Sequence, residues 1–361
     1  MSDSNPFREG FFDSVGNLVL PEPPPWRNRR PKETFAAESW ARDTWPKLLP
    51  GQAPQPGDEI EVAMADLASR AARHSFRDLK WELDVIRAAI TLRRPILVTG
   101  KPGVGKSSLA YVTAHHLGLG PVLRWSVGSK STVEAAVYQY DAVRRLEYYA
   151  PGRPRNQTAA LTPAQEEGQF YRLGPLGTAL LPRLKPRVLL IDEIDKSDLD
   201  LPDDLLHVLE EGNYEIPELA RLNLDQPVPV RTADGDTAKI LGGRLQCFEF
   251  PLIFLTSNGE RDFSSAFLRR CLQLSVSRPT KEELEQIVRK QMDHWLAKNG
   301  RTLNPALLEE MATDFFKRME EEEVTTDQLL NTFFIRSEHG FGPDIKLSTA
   351  KNTADQPRPE S

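Results

Sequence analysis

Cysteine is nearly absent from this chain of 361 residues, with only Cys247 and Cys271, far apart in sequence. Their separation excludes a C-x-x-C redox pair or a cysteine-rich zinc site, and both read as buried free thiols in a reducing compartment. Long apolar runs are missing too. No stretch approaches the ~20 residues a membrane-spanning helix needs, so neither a transmembrane helix nor a membrane partner is expected. Met1-Ser2-Asp3-Ser4-Asn5 shows no basic stretch leading into an apolar core, so no signal peptide is expected. Positive charge is not in excess either: 46 Lys and Arg face 52 Asp and Glu, a net charge of −6. That balance argues against a nucleic-acid partner. No internal repeat is visible. A soluble, cytoplasmic protein is the expectation.

What the chain does have is a complete G-x-x-x-x-G-K-[ST] stretch, Gly100-Lys101-Pro102-Gly103-Val104-Gly105-Lys106-Ser107. Its glycines let backbone N–H groups turn inward around a pyrophosphate. Lys106 would reach the β- and γ-phosphates, and the Ser107 hydroxyl would hold Mg²⁺. The flanks suit this chemistry. Ile96-Leu97-Val98-Thr99 reads as a buried parallel strand, and Ser107-Ser108-Leu109-Ala110 opens a helix that ends near Gly118. A helix N-terminus aimed at an anion completes the cradle, with Ser108 at its edge. ATP and Mg²⁺ are the cofactors this implies.

Residues 1–60 carry Pro21-Glu22-Pro23-Pro24-Pro25-Trp26, Trp40 and Trp45-Pro46. They read as an extended, partly disordered arm whose tryptophans pack on a surface. Helical periodicity starts near Glu61. Residues 122–127, 188–191 and 252–256 read as further core strands, 131–150 as helix and 151–168 as a mobile loop. Around Ala233-Asp234-Gly235-Asp236, residues 227–241 read as a hairpin with a D-G turn. Beyond Pro279 the pattern is helical, at roughly 281–298, 304–320 and 325–337, and from Gly340 it turns polar. The expected fold class is α/β: a P-loop, doubly wound parallel sheet over 61–278, a small all-helical lid at 279–340 and a disordered tail at 341–361.

Ile191-Asp192-Glu193 directly follows an apolar strand, so its carboxylates face the crevice that the phosphate loop faces. Asp192 is placed to hold Mg²⁺ with Ser107, and Glu193 to act as the base for an attacking water. Lys196 and Asp198 read as polar residues starting a helix. At the end of the next strand Asn258 can reach a γ-phosphate or that water. Arg269 and Arg270 end a short helix, where they form a surface pair or contact a neighbour's phosphate.

Taken together, Gly100–Ser107, Asp192-Glu193, Asn258 and Arg269-Arg270, in this order before a helical region, resemble an AAA+ ATPase. The segment 131–185, leaving through Gly174-Pro175-Leu176-Gly177, and the hairpin at 227–241 resemble the helix-2 insert and pre-sensor-1 hairpin of the MoxR-type branch. The resemblance spans about 75–340. It implies that Lys106 and Ser107 are the Walker A pair, Asp192 and Glu193 the Walker B pair, Asn258 sensor 1, and Arg270 the arginine finger, with Arg269 as second choice. It implies self-assembly into a hexameric ring and a protein client, such as one bearing a von Willebrand factor A domain. Thr325-Thr326-Asp327-Gln328 lacks the sensor-2 arginine expected there; Lys317 and Arg318 are substitutes. The competing expectation is an ATP-gated switch or scaffold in a signalling or defence complex, in which assembly rather than turnover matters.

Overall fold

The computed structural model describes residues 59–73, 79–150, 162–222 and 226–286, with Phe7, 11–14, 17–27 and a few positions between 288 and 331. Trp40, Trp45, residues 151–161, the sensor-2 substitutes, the tail and most of the lid lie outside the described residues. The chain divides into two compact units: 1–99 with 107–275, and 100–106 with 276–361.

In the larger unit, α1 (Glu59–Arg73) and α2 (Leu79–Leu92) lead to β1 (Ile96–Thr99), and α3 (Ser108–Leu117) leads to β2 (Leu123–Ser126). There follow α4 (Val133–Val137), β3 (Tyr138–Tyr140), α5 (Ala142–Tyr149), α6 (Pro163–Gly168), β4 (Tyr171–Leu173) and α7 (Pro175–Ala179). Then come β5 (Val188–Asp192), α8 (Leu201–Glu211), β6 (Asn213–Glu215), α9 (Pro217–Arg221), β7 (Val228–Arg231), β8 (Thr237–Ile240) and β9 (Arg244–Gln246). The unit closes with β10 (Leu252–Ser257), α10 (Ser265–Arg270) and β11 (Leu272–Ser275).

The central sheet runs β11-β1-β10-β5-β2, and every neighbouring pair is parallel. Its inner strands are apolar on both faces because helices cover both. All of β5 and β10 is buried. Each fully buried Leu or Ile there contributes about 1.5–3 kcal/mol. The helices follow from spacing and punctuation. In α8, Leu201, Leu205, Val208 and Leu209 form one buried stripe, and Gly212 at φ +62° ends the helix.

A second sheet, β3-β4-β7-β8, joins the 131–185 segment to the 227–241 hairpin, with Arg172 in register with Arg231. Two features separate in sequence are therefore one structure. Gly168 permits this packing: a Cβ there would meet the Pro229 carbonyl oxygen of the hairpin at 1.9 Å.

Three local expectations are corrected. Residues 131–150 are not one helix, because Tyr138–Tyr140 leave it to pair antiparallel with Leu173–Tyr171. The stretch 162–168 is not loop: Thr162 and Gln165 form a capping box over α6, with Pro163 in the first turn, where proline's missing N–H costs nothing. Lys196 and Asp198 do not start a helix. Lys196 ends a 3₁₀ turn, Ile194–Lys196, and α8 begins at Leu201.

The described part of the N-terminal arm packs on its own chain. Phe7 and Phe11 are buried and meet edge to face at 6.1 Å, and Arg93 donates to the Pro21 carbonyl at 3.1 Å.

In the smaller unit, Thr280 and Glu283 cap a helical start reciprocally, at 2.7 and 3.3 Å. Leu284, Val288, Ala312 and Phe315 are buried. Among the described residues no helix is long and apolar enough to cross a membrane.

Candidate functional site

The trailing ends of parallel strands are where such sheets bind ligands, and the polar residues of the larger unit converge there. Register explains the convergence. Leu255 lies beside Ile191, so Thr256, one residue on, stands next to Asp192 and shares its face. Ser126 on β2 is paired with Asp192 from the other side.

Asp192 is the hub. One carboxylate oxygen, Oδ1, accepts hydrogen bonds from the hydroxyls of Ser107 (2.8 Å) and Thr256 (2.7 Å). The other, Oδ2, accepts from Arg124 Nη2 at 2.6 Å. Burial pushes this carboxyl up, but the hydrogen bonds from Thr256, Ser107 and Arg124, with the Arg124 charge, outweigh it and hold the group below the usual carboxylate range. Asp192 is therefore an anion at neutral pH.

Glu193 follows in the left-handed region at φ +61°, a conformation that costs a non-glycine residue on the order of 1 kcal/mol. Its amide is fixed there by donating to Thr256 Oγ1 at 2.9 Å. Thr256 thus reads both Walker B-like carboxylate residues: its hydroxyl donates to Asp192 and accepts from the Glu193 backbone. The half-exposed Glu193 side chain pairs with Lys196 at 3.0 Å.

Asn258 sits on the loop after β10, and a buried Asp195 ties that loop down. Asp195 Oδ2 accepts from Ser257 Oγ (3.0 Å), the Asn258 amide (2.7 Å) and the Glu260 amide (3.3 Å). In the reverse direction the Arg261 guanidinium donates to Ser197 Oγ (2.7 Å), the Ser197 carbonyl (2.9 Å) and the Asp198 carbonyl (3.1 Å). The loops after β5 and β10 are clasped twice, so Glu193 and Asn258 are carried on one braced platform. The Asn258 side chain itself donates to Glu260 at 3.3 Å.

The two arginines of α10 differ. Arg270 is half-buried and forms an ion pair with Glu210 of the same chain, which raises its pKa. Arg269 is exposed, and its Nε donates only locally, to the Ser265 carbonyl at 3.1 Å.

In the smaller unit the glycine loop has the backbone that its composition implies. Gly103 and Gly105 lie at φ +74° and +95°, where side chains are strained. A Cβ on Gly100 would meet the Val276 carbonyl oxygen at 2.4 Å. Lys106 Nζ donates to the carbonyls of Gly100 (2.8 Å) and Lys101 (2.9 Å), crossing its own loop.

These residues fit magnesium. A serine hydroxyl and an anionic carboxylate are hard oxygen donors. Among the described residues no group of three His, Cys, Asp or Glu side chains could hold a metal alone. Phosphate oxygens and water would complete the coordination, as magnesium commonly requires.

Sequence reasoning selected Ser107, Asp192, Glu193 and Asn258 but missed Arg124, Thr256 and Asp195. Thr256-Ser257, polar residues closing a buried apolar strand, were a readable signal. Arg124 gave a weaker one: it alternates with buried Leu123 and Trp125, so it shares a face with Ser126.

No curated protein matches the chain. Residues 95–271 match a family model described as an AAA domain of the dynein-related subfamily, a finding that supports ATP binding and hydrolysis by an AAA+ ATPase. The match and the five-stranded parallel sheet together fit a P-loop α/β core of the AAA type.

Proposed function

We propose that the chain is a Mg²⁺-dependent ATPase of the MoxR-like kind, working as a ring of identical subunits to remodel or activate a protein partner. The observation that carries the catalytic half is the 2.8 Å hydrogen bond between Ser107 and Asp192, 85 residues apart. It joins the last residue of the phosphate-loop motif to the carboxylate that ends β5. Lys106, next to Ser107 in the chain, would hold the β- and γ-phosphates with the loop amides from Gly100 to Ser108. Ser107 and Asp192 would hold the metal, which when bound neutralises charge developing on the transferred phosphoryl group.

The remaining roles belong to the chain's own groups. Glu193 would leave Lys196 and orient or deprotonate the attacking water, a contribution of about 10²–10⁴ in rate. Asn258 would align that water, kept in place by Asp195. One arginine of α10, Arg270 or Arg269, would enter the neighbouring subunit's site. The exposure of Arg269 and the Glu210 pairing of Arg270 make this a contest between an exposed side chain and an ion-paired one.

Glu193→Gln tests the reading. The variant should bind a fluorescent ATP analogue as the wild type does and lose turnover by about 10²–10⁴. Normal turnover would remove Glu193 from the mechanism. Lys106→Ala should lose binding itself. The Glu193–Lys196 pair also favours a second reading, a nucleotide-gated switch in a signalling or defence complex whose assembly is the function. Full biological activity of Glu193→Gln would select that reading.

A further inference from the structure

Asp192 already holds a cation of the chain's own. The β2–β5 register pairs Ser126 with Asp192, and Arg124, two residues earlier on the same face, reaches diagonally to the carboxylate. The two carboxylate oxygens are used differently. Oδ1 accepts from two neutral hydroxyls, and this is compatible with a metal, because Ser107 Oγ donates its hydrogen and keeps its lone pairs. Oδ2 carries the guanidinium.

The pair is also uneven in its freedom to separate. The Arg124 side chain is 49% exposed, whereas that of Asp192 is 9% exposed. Arg124 can swing into water with little loss of packing; Asp192 cannot follow it. One carboxylate charge cannot fully neutralise both a guanidinium and a divalent ion beside it, and the two cations repel. Each therefore weakens the other's hold on Asp192.

We propose that Arg124 is an internal counter-ion that competes with magnesium for Asp192, so that Mg·ATP binds by displacing it and its return to Oδ2 helps metal and product leave. This rests on the reading that Ser107 and Asp192 hold Mg·nucleotide. It assigns Arg124 to nucleotide exchange rather than to phosphate binding. Arg124 is thus a positioning residue, acting on the reaction only through Asp192.

The test is equilibrium titration of the full chain with a fluorescent ATP analogue, in excess Mg²⁺ and in EDTA, together with a Mg²⁺ titration at fixed analogue. Arg124→Gln should tighten binding in Mg²⁺ by about three- to five-fold, the scale of losing one partly exposed ion pair. It should lower the half-saturating Mg²⁺ by a similar factor and leave affinity in EDTA within about two-fold. Arg124→Lys, which keeps the charge, should stay near the wild type. Weaker binding of Arg124→Gln in Mg²⁺ would make Arg124 a phosphate ligand and overturn the proposal. Equal changes with and without Mg²⁺, or no change, would overturn it as well. Failure of the underlying ATP reading has a separate signature: wild type would bind the analogue no better than Lys106→Ala.

Discussion

The two edges of the central sheet are fastened in opposite ways. At the leading ends of its strands, Arg187 before β5 pairs with Asp234 of the hairpin turn at 2.7 Å, and Arg93 before β1 pairs with Glu249 before β10 at 2.7 Å. All four side chains are at most 7% exposed. At the trailing ends the Arg124–Asp192 pair leaves its arginine 49% exposed. A buried pair, once formed, cannot lose one member without stranding a charge; a half-exposed pair can open and close. Permanence thus lies at one edge and exchange at the other, within the same five strands.

The largest expected effect comes from the two arginines that end α10, directly before β11. Among Arg269→Ala and Arg270→Ala, one should cost about 10³–10⁵ in turnover while analogue affinity and unfolding midpoint stay near wild type. Comparison of steady-state hydrolysis rates decides which. If both variants hydrolyse at the wild-type rate, neither arginine completes a neighbour's site.

The leading edge should respond in the other currency. Asp234→Ala strands Arg187 in the core and should cost about 3–5 kcal/mol in denaturant unfolding, with analogue affinity of the folded fraction unchanged. A cost under about 1 kcal/mol would put the hairpin anchor in the same class as a surface pair. The smallest expected effect is in acid. The Asp234 carboxyl is buried, which pushes its pKa up, but Arg187's charge and hydrogen bonds from Thr232 and Arg187 hold it below its ordinary value. Its folded pKa is depressed, so its stabilisation is present above the unfolded value of about 3.9 and is lost as pH falls through the folded one. Asp234→Asn should flatten that acid limb, measured as unfolding free energy against pH.

Much of this contrast was readable in the chain, but not evenly. β1, β5 and β10 announce themselves as apolar runs leading into Gly100, Asp192 and Asn258, because strands buried on both faces need no partner to be recognised. β11 does not: Leu272-Gln273-Leu274-Ser275 becomes a strand through pairing with β1, a non-local fact. The helical period of Val133, Ala136, Val137 and Tyr140 runs on past the point where the chain leaves the helix, since the same tyrosines serve β3. Thr162-Pro163-Ala164-Gln165 carried its capping box in plain view; its proline reads equally well as a loop residue. In the site, Ser107 and Asp192 belong to local motifs. Arg124 reaches Asp192 only because β2 lies beside β5, and composition could not supply that neighbour.

The central claim is that Asp192, with Ser107, holds the metal of a bound Mg·ATP. Asp192→Asn tests it most directly, in analogue titrations with excess Mg²⁺ and with EDTA. Mg²⁺ should tighten binding to the wild-type chain, and in the variant that gain should vanish together with hydrolysis, while binding in EDTA persists. An unchanged Mg²⁺-dependent gain in Asp192→Asn would contradict the account.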